Sequence, residues 1–176
     1  MSLLADLAAQ RDVVLQVLVA DGGSTDQTVA VARAGQAEVV SSAPGRGAQM
    51  NAAAARAIHP WLCFLHADSR LTHPRQLADA IDCLGADDPT RVAGHFALRF
   101  VRETRGHAFF YRYLEAKSAT SRRYTINGDQ GLILSTRFFD ELGGFDTRLG
   151  FLEDQRMAAA IAAAGQWRLC PHRLAT

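Results

Sequence analysis

The chain has 176 residues, 48% of them hydrophobic, and its 19 basic and 18 acidic side chains leave a net charge of +1. That size and composition fit one domain with a substantial core, and the near-neutral balance argues against a nucleic-acid partner, which calls for a basic excess. The three cysteines, Cys63, Cys83 and Cys170, are scattered and odd in number, which argues against a disulfide framework or a zinc site. There is no secretory pattern at the start and no run of about 18 apolar residues, so the expected location is the cytoplasm, up to the inner face of a membrane.

Residues 2–10 read as a short amphipathic helix. Val13–Ala20 is apolar except for Gln16, the pattern of a strand buried on both faces. A helix over Asp26–Ala34 follows, capped by Ser24 or Thr25, and then a strand over Glu38–Ser41. Pro44, Gly45 and Gly47 mark a loop before an alanine-rich helix over Ala48–Ile58. Trp61–Leu65 is a second buried strand, and Pro74 opens a helix to Leu84. This alternation predicts a mostly parallel central sheet with helices on both faces.

Beyond residue 84 the pattern changes. Residues 92–100 alternate, which predicts a strand with one solvated face. A polar-aromatic helix over His107–Arg122, a strand over Gly131–Leu134 and a helix over Thr136–Leu142 come next. Glu153–Ala164 reads as a helix and Trp167–Cys170 as a last strand. With no linker or repeat, residues 1–176 form one domain, divided into a nucleotide-binding half (1–84) and an acceptor-side half (85–176).

Two apolar strands run straight into acidic loops: Asp21-Gly22-Gly23-Ser24-Thr25-Asp26 and His66-Ala67-Asp68. In open α/β sheets, ligands sit beyond the carboxyl ends of the strands, so both loops are expected to face one crevice. Asp21 is a candidate for contacting a base or ribose, with Gly22 and Gly23 allowing close approach; the same residues also make ordinary turns. Asp68 offers a hard oxygen ligand for Mg2+ or Mn2+, with His66 on the same side of the segment. The alternative is that Asp68 caps a turn and His66 is a satisfied polar residue. Arg46 stands where the Pro44–Gly47 loop meets a helix N-terminus, which favours an anion. Asp129 and Gln130 are acceptor-side candidates, or turn residues. Glu153 and Asp154 open a helix whose dipole favours carboxylates there; Asp154 is the first candidate for a general base and Glu153 the second.

Residues 99–123 gather Arg99, Arg102, Arg105, Arg112, Lys117, Arg122 and Arg123 around Phe109, Phe110, Tyr111 and Tyr113. This segment is either one solvated and one buried face of a helix or a surface for an anionic membrane or acceptor.

In their order, DGGSTD (21–26), APGRGAQMN (43–51), FLHAD (64–68), NGDQG (127–131) and LGGFDTRLGFLED (142–154) resemble the family 2 glycosyltransferases of GT-A fold, in the bacterial "transferase 2"-like subgroup. The resemblance implies an α/β nucleotide-sugar-binding fold and transfer of a sugar, with inversion, from a nucleotide-diphosphate donor to a hydroxyl acceptor: a lipid, a glycan or a small molecule. It implies that Asp21 contacts the nucleotide, that Asp68 is the last acid of the DxD metal motif with His66 at its first position, that Arg46 approaches the donor, and that Asp154 activates the acceptor. Gly22 stands where relatives often carry a second acid. The family's opening apolar strand has no match ahead of the residue 2–10 helix, so the expected sheet lacks its first strand. Two other readings stay open: a non-catalytic or truncated sugar-nucleotide-binding module, and a nucleotidyltransferase of related fold. Homo-oligomer formation is equally open.

Overall fold

The computed structural model describes residues 2–85, 91–101, 108–120, 128–148 and 152–176. Helix α1 (Leu3–Ala8) leads to strand β1 (Leu18–Asp21), which pairs in parallel with β2 (Glu38–Ser41) across helix α2 (Thr28–Ala34). Helix α3 (Arg46–Ala54) packs onto both of these strands. These two strands form a small sheet of their own.

A second, five-stranded sheet has the order β3-β6-β5-β7-β4, with β3 (Trp61–Phe64), β4 (Arg70–Leu71), β5 (Val92–Arg99), β6 (Leu132–Ser135) and β7 (Gln166–Ala175). Helices α4 (Gln76–Gly85), α5 (Ala108–Ser118), α6 (Thr136–Glu141) and α7 (Glu153–Ala164) complete the chain. One face of the sheet buries Phe96, Leu98, Ile133 and Leu174 with Leu77 and Leu84 of α4. The other buries Leu62, Ala93 and Leu134 with Phe138, Met157 and Ile161 of α6 and α7. Ser135 caps α6 by accepting from Phe138 N at 3.1 Å, which fixes where that helix starts.

The α/β class holds, but the pairing is more antiparallel than the expected mostly parallel sheet. Among the described residues only β1–β2 and β5–β7 are parallel; β3–β6, β5–β6 and β4–β7 are antiparallel. The reason lies in α5. Ser118 Oγ accepts from Leu98 N at 2.8 Å and Glu115 Oε1 from Phe100 N at 3.0 Å, which hold this helix at the far end of β5. Strand β6 therefore starts from that end and runs back, where a parallel neighbour would require a full crossover.

Strand β5 is buried on both faces from Val92 to Leu98, so its alternation does not mark a solvated side. Strand β7 is longer than expected. Its register against β5 jumps from His95↔Leu169 to Ala97↔Arg173, a bulge that accommodates Pro171 and a left-handed His172 (φ 69°). Val13–Val17, expected to be part of a strand buried on both faces, is outside the ladder, with Val14 78% exposed. On α5, Phe109, Phe110 and Tyr113 are exposed, while Tyr111 contacts Phe100. His107, Arg102, Arg105, Arg122, Arg123, Asn127 and residues 149–151 of the LGGFDTRLGFLED segment lie outside the described residues. No helix among the described residues is long and apolar enough to cross a membrane.

Candidate functional site

The carboxyl ends of β1 and β3 open onto one cleft of about 1420 Å³, and Arg46, His66, Asp68, Asp129 and Asp154 all line it. His66 and Asp68 come from the loop after β3; the others each arrive from a separate element. Arg46 is the first residue of α3, after Gly45, whose φ of 133° suits glycine alone. The next residue, Gly47, is buried. A Cβ there would sit 3.4 Å from Phe145 Cβ and 3.7 Å from Glu153 Cβ, so the start of α3 lies against the start of α7.

That contact sets up a chain of charges. Arg46 Nε is 3.1 Å from Glu153 Oε1, and Arg46 Nη2 is 2.6 Å from His66 Nε2. His66 Nδ1 in turn lies 3.1 Å from Asp129 Oδ1. Glu153 is 2% exposed; its Oε1 meets Arg46 as an ion pair without hydrogen-bond alignment. Asp154, the next residue, takes Gly128 N at 3.0 Å on Oδ2 and Gln155 N at 2.8 Å on Oδ1. Gly128 is where these groups meet. A Cβ on it would lie 3.1 Å from Arg46 Nη2, 3.2 Å from His66 Nε2 and 3.4 Å from Asp154 Oδ2.

Asp68 is exposed at the mouth of the same cleft and has no ion-pair partner among the described residues. It supplies one carboxylate, which fits Mg2+ or Mn2+ when substrate phosphates complete the shell. Both nitrogens of His66 are engaged, by Arg46 and by Asp129, so His66 would have to turn to join it as a ligand. The described His/Asp group close enough to share an ion is elsewhere: His73, Asp79 and His172. There the two imidazoles stack at 4.0 Å and 10°, which puts their lone pairs in parallel planes, and Arg75 Nε occupies Asp79 Oδ1 at 3.1 Å. With His172 Nε2 2.7 Å from Asp79 Oδ2, the cluster is a clip between α4 and β7.

Asp21 stands at the end of β1 but is turned into its own loop. Its carboxyl accepts from Gly23 N at 3.2 Å and Ser24 N at 3.1 Å, and it is 7% exposed. Hydrogen bonds from the side chain and backbone of Ser24, then from Gly23, hold this carboxyl below the ordinary range. Gly23 has φ 100°, and a Cβ on Gly22 would lie 3.1 Å from the Gln49 amide, which bonds Ala20 O at 3.1 Å. Gln130 is fully buried, bonded to His95 Nδ1, Phe96 O and Ser118 O, and so lies behind the cleft. Gly128 was not among the candidates read from the sequence. A glycine before an acid was the visible signal for Gly128, but only the three-dimensional approach of Arg46, His66 and Asp154 gives it meaning.

The sequence pattern that defines glycosyl transferase family 2 matches residues 2–139. The chain belongs to that family. Solved structures resemble this family 2 member over nearly all its length. One is the mannosyltransferase PcManGT from Pyrobaculum calidifontis in complex with GDP-Man and Mn2+: TM-score 0.71, 24% identity, covering 99% of this chain and 51% of that one. Another is S. aureus TarS 1–349 in complex with UDP: TM-score 0.72, 20% identity, covering 99% and 55%. A third is glucosyl-3-phosphoglycerate synthase from Mycobacterium tuberculosis with Mn2+ and UDP-Glc: TM-score 0.61, 18% identity, covering 97% and 66%. These likenesses establish the GT-A fold. The family 2 member spans about half the length of the first two. No curated protein matches it in sequence.

Proposed function

We propose that this family 2 domain is an inverting, metal-dependent glycosyltransferase that moves a sugar from a nucleotide-diphosphate donor to a hydroxyl acceptor. The observation that carries the reading is the meeting of Arg46, His66 and Asp154 at the Gly128 backbone, with Asp68 and Asp129 in the same cleft. The structural neighbours bind GDP-Man, UDP and UDP-Glc, two of them with Mn2+, which supports a nucleotide-sugar donor here.

Asp154 is oriented by two backbone N–H groups and takes the proton from the acceptor hydroxyl as it attacks. Attack comes from the face opposite the leaving nucleotide, which gives inversion. Arg46 offers a fixed cation to the donor diphosphate, and buried Glu153 anchors that cation in place. Glu153 is therefore a positioning residue. Asp68, with His66 if it turns, would hold Mg2+ or Mn2+, which when bound would offset charge developing on the leaving diphosphate. Asp21, its carboxyl taken up by Gly23 N and Ser24 N, would act by shaping the Gly22-Gly23 turn, which would receive the nucleoside beyond β1. Asp129, held by His66, faces the acceptor side of the cleft; exposed Phe109, Phe110 and Tyr113 on α5 support an amphipathic or lipid-linked acceptor near a membrane surface.

The test is turnover with GDP-mannose and UDP-glucose, with Mn2+ or EDTA, against free-sugar, glycan and lipid-linked acceptors. Asp154→Asn and Asp68→Ala are each expected to lower transfer by about 10²-fold or more with an unchanged melting temperature. Full turnover by either variant, or in EDTA, refutes the role assigned to it. Release of pyrophosphate from a nucleoside triphosphate would instead identify a nucleotidyltransferase, and tight donor binding without turnover a non-catalytic module.

A further inference from the structure

The charge chain across the cleft has a direction set by what each group can donate. A guanidinium carries only N–H donors and no acceptor. Arg46 Nη2, 2.6 Å from His66 Nε2, therefore donates, and Nε2 must offer its lone pair. An imidazole that accepts on one nitrogen is neutral and carries its hydrogen on the other. His66 Nδ1 thus holds the hydrogen and donates it to Asp129 Oδ1 at 3.1 Å. The contacts fix both the neutral form and the tautomer of His66. The donor end of the chain is fixed as well, because Glu153, with its side chain only 3% exposed, lies 3.1 Å from Arg46 Nε.

The surroundings leave room for this link and little else. A Cβ on Gly128 would come 3.1 Å from Arg46 Nη2 and 3.2 Å from His66 Nε2, the two atoms that meet. Any side chain at 128 would press on their contact. On the other side, His66 O accepts from Ser69 N at 3.1 Å, a turn that carries Asp68 between them. The same geometry argues against His66 as a metal ligand. A metal takes an imidazole lone pair, and the one His66 has is given to Arg46. Ligation through Nε2 would set a divalent cation close to the guanidinium, which like charges oppose. Ligation through Nδ1 would cost the hydrogen that holds Asp129. Asp68 can serve without it, since Mg2+ commonly takes one or two carboxylates and completes its shell from phosphates and water.

We propose that His66 is a positioning residue and not a metal ligand: as a neutral Nδ1–H imidazole it ties Arg46, on the donor side, to Asp129, on the acceptor side. One guanidinium N–H faces Glu153 and one faces His66, so the rest remain for a donor diphosphate. Asp129 accepts from His66 on one carboxylate oxygen and has the other for an acceptor hydroxyl. One connected frame then holds both substrates, and removing the imidazole loosens the grip on each. This inference deepens the transferase reading and rests on it.

The experiment compares the wild-type chain with His66→Gln, His66→Asp and His66→Ala. A glutamine amide accepts on its oxygen and donates on its nitrogen, so it can replace the link. Aspartate supplies a hard oxygen for Mg2+ but no donor for Asp129. The Kd for GDP and for UDP, each with Mg2+, is measured by calorimetry. For whichever nucleotide the wild type binds, His66→Ala and His66→Asp are expected to weaken binding about tenfold, while His66→Gln stays within about threefold. In 15N-histidine-labelled wild type, long-range 15N–1H spectra are expected to show His66 as the Nδ1–H tautomer, the minority form of free histidine, with and without Mg2+ and nucleotide. That spectrum decides the tautomer even where a variant does not fold. An Nε2–H tautomer, His66→Gln as weak as His66→Ala, or His66→Asp as tight as wild type overturns the assignment of His66 alone. A wild type that binds neither nucleotide refutes the transferase reading, and this inference with it.

Discussion

His95 sits at the centre of β5 with no exposure, hydrogen-bonded to the Gln130 amide. Burial pushes its imidazole down to about 4, against an ordinary value near 6.5. The sign follows from proton binding: between these values the unfolded chain takes up a proton that the folded chain refuses, so stability falls as pH drops through this window. The loss expected between pH 7 and pH 5 is roughly 2 kcal/mol, measured by urea unfolding at the two pH values and reduced in His95→Gln. Asp21, Asp79 and Asp146 add a further loss at lower pH. Hydrogen bonds hold their carboxyls below the ordinary range, from Ser24, His172 and Arg148 respectively. At this scale the sequence was informative about charges and silent about burial. Arg46, His66, Asp68, Asp129 and Asp154 could be picked out as candidates, and all of them line one cleft. That Gln130 turns inward to satisfy His95 and two carbonyls could not, because the demand comes from strands distant in sequence.

At the scale of elements, α7 and β7 meet at Gly165 with almost no space. A Cβ there would lie 2.2 Å from Arg91 O and 2.8 Å from the Phe138 ring. Neither the Arg91 backbone nor a buried ring yields easily. Gly165→Ala is therefore expected to cost about 1–3 kcal/mol or more, read as a lower denaturation midpoint with an unchanged slope. Helix α7 shows how much an element can reveal in advance. Its limits, Glu153–Ala164, were legible because acids open it and Gly165 follows it. Helix α3 starts two residues earlier than its alanine content suggested, at Arg46, since Gly45 supplies the φ that lets the helix begin there. The two-residue β4 carried no periodic signal, and the bulge in β7 arises from pairing against β5.

Across the whole molecule, the small β1–β2 sheet is set apart from the five-stranded one. Leu18, Val19 and Ala20 are only half-buried, whereas β5 is buried from Val92 to Leu98. Stability is therefore uneven. Amides that face β2 are expected to exchange at least about tenfold faster than those between β5 and β7, measured by native-state hydrogen exchange. The apolar run at Val13–Ala20 announced a strand, of which only Leu18–Ala20 entered the ladder and those only half-buried, and the family resemblance announced that a neighbouring strand had no match among the given residues. What could not be read was the result: two sheets with a lined gap between them. The antiparallel return of β6 was equally hidden, since it depends on where α5 is pinned by Ser118 and Glu115.

The close approach around Gly128 makes a single hydrogen a tight tolerance in the site. A scan limited to ionisable residues would pass over it. One neutral methyl group there crowds a guanidinium, an imidazole and a carboxylate at the same moment. The crowded atoms are the ends of side chains, so they can shift by a few tenths of an ångström and the fold survives. Gly128→Ala is accordingly expected to keep its melting temperature while transfer drops about tenfold or more, since small misplacements of reacting groups cost rate steeply. Selection for a new acceptor could thus act on this hydrogen without touching any charge.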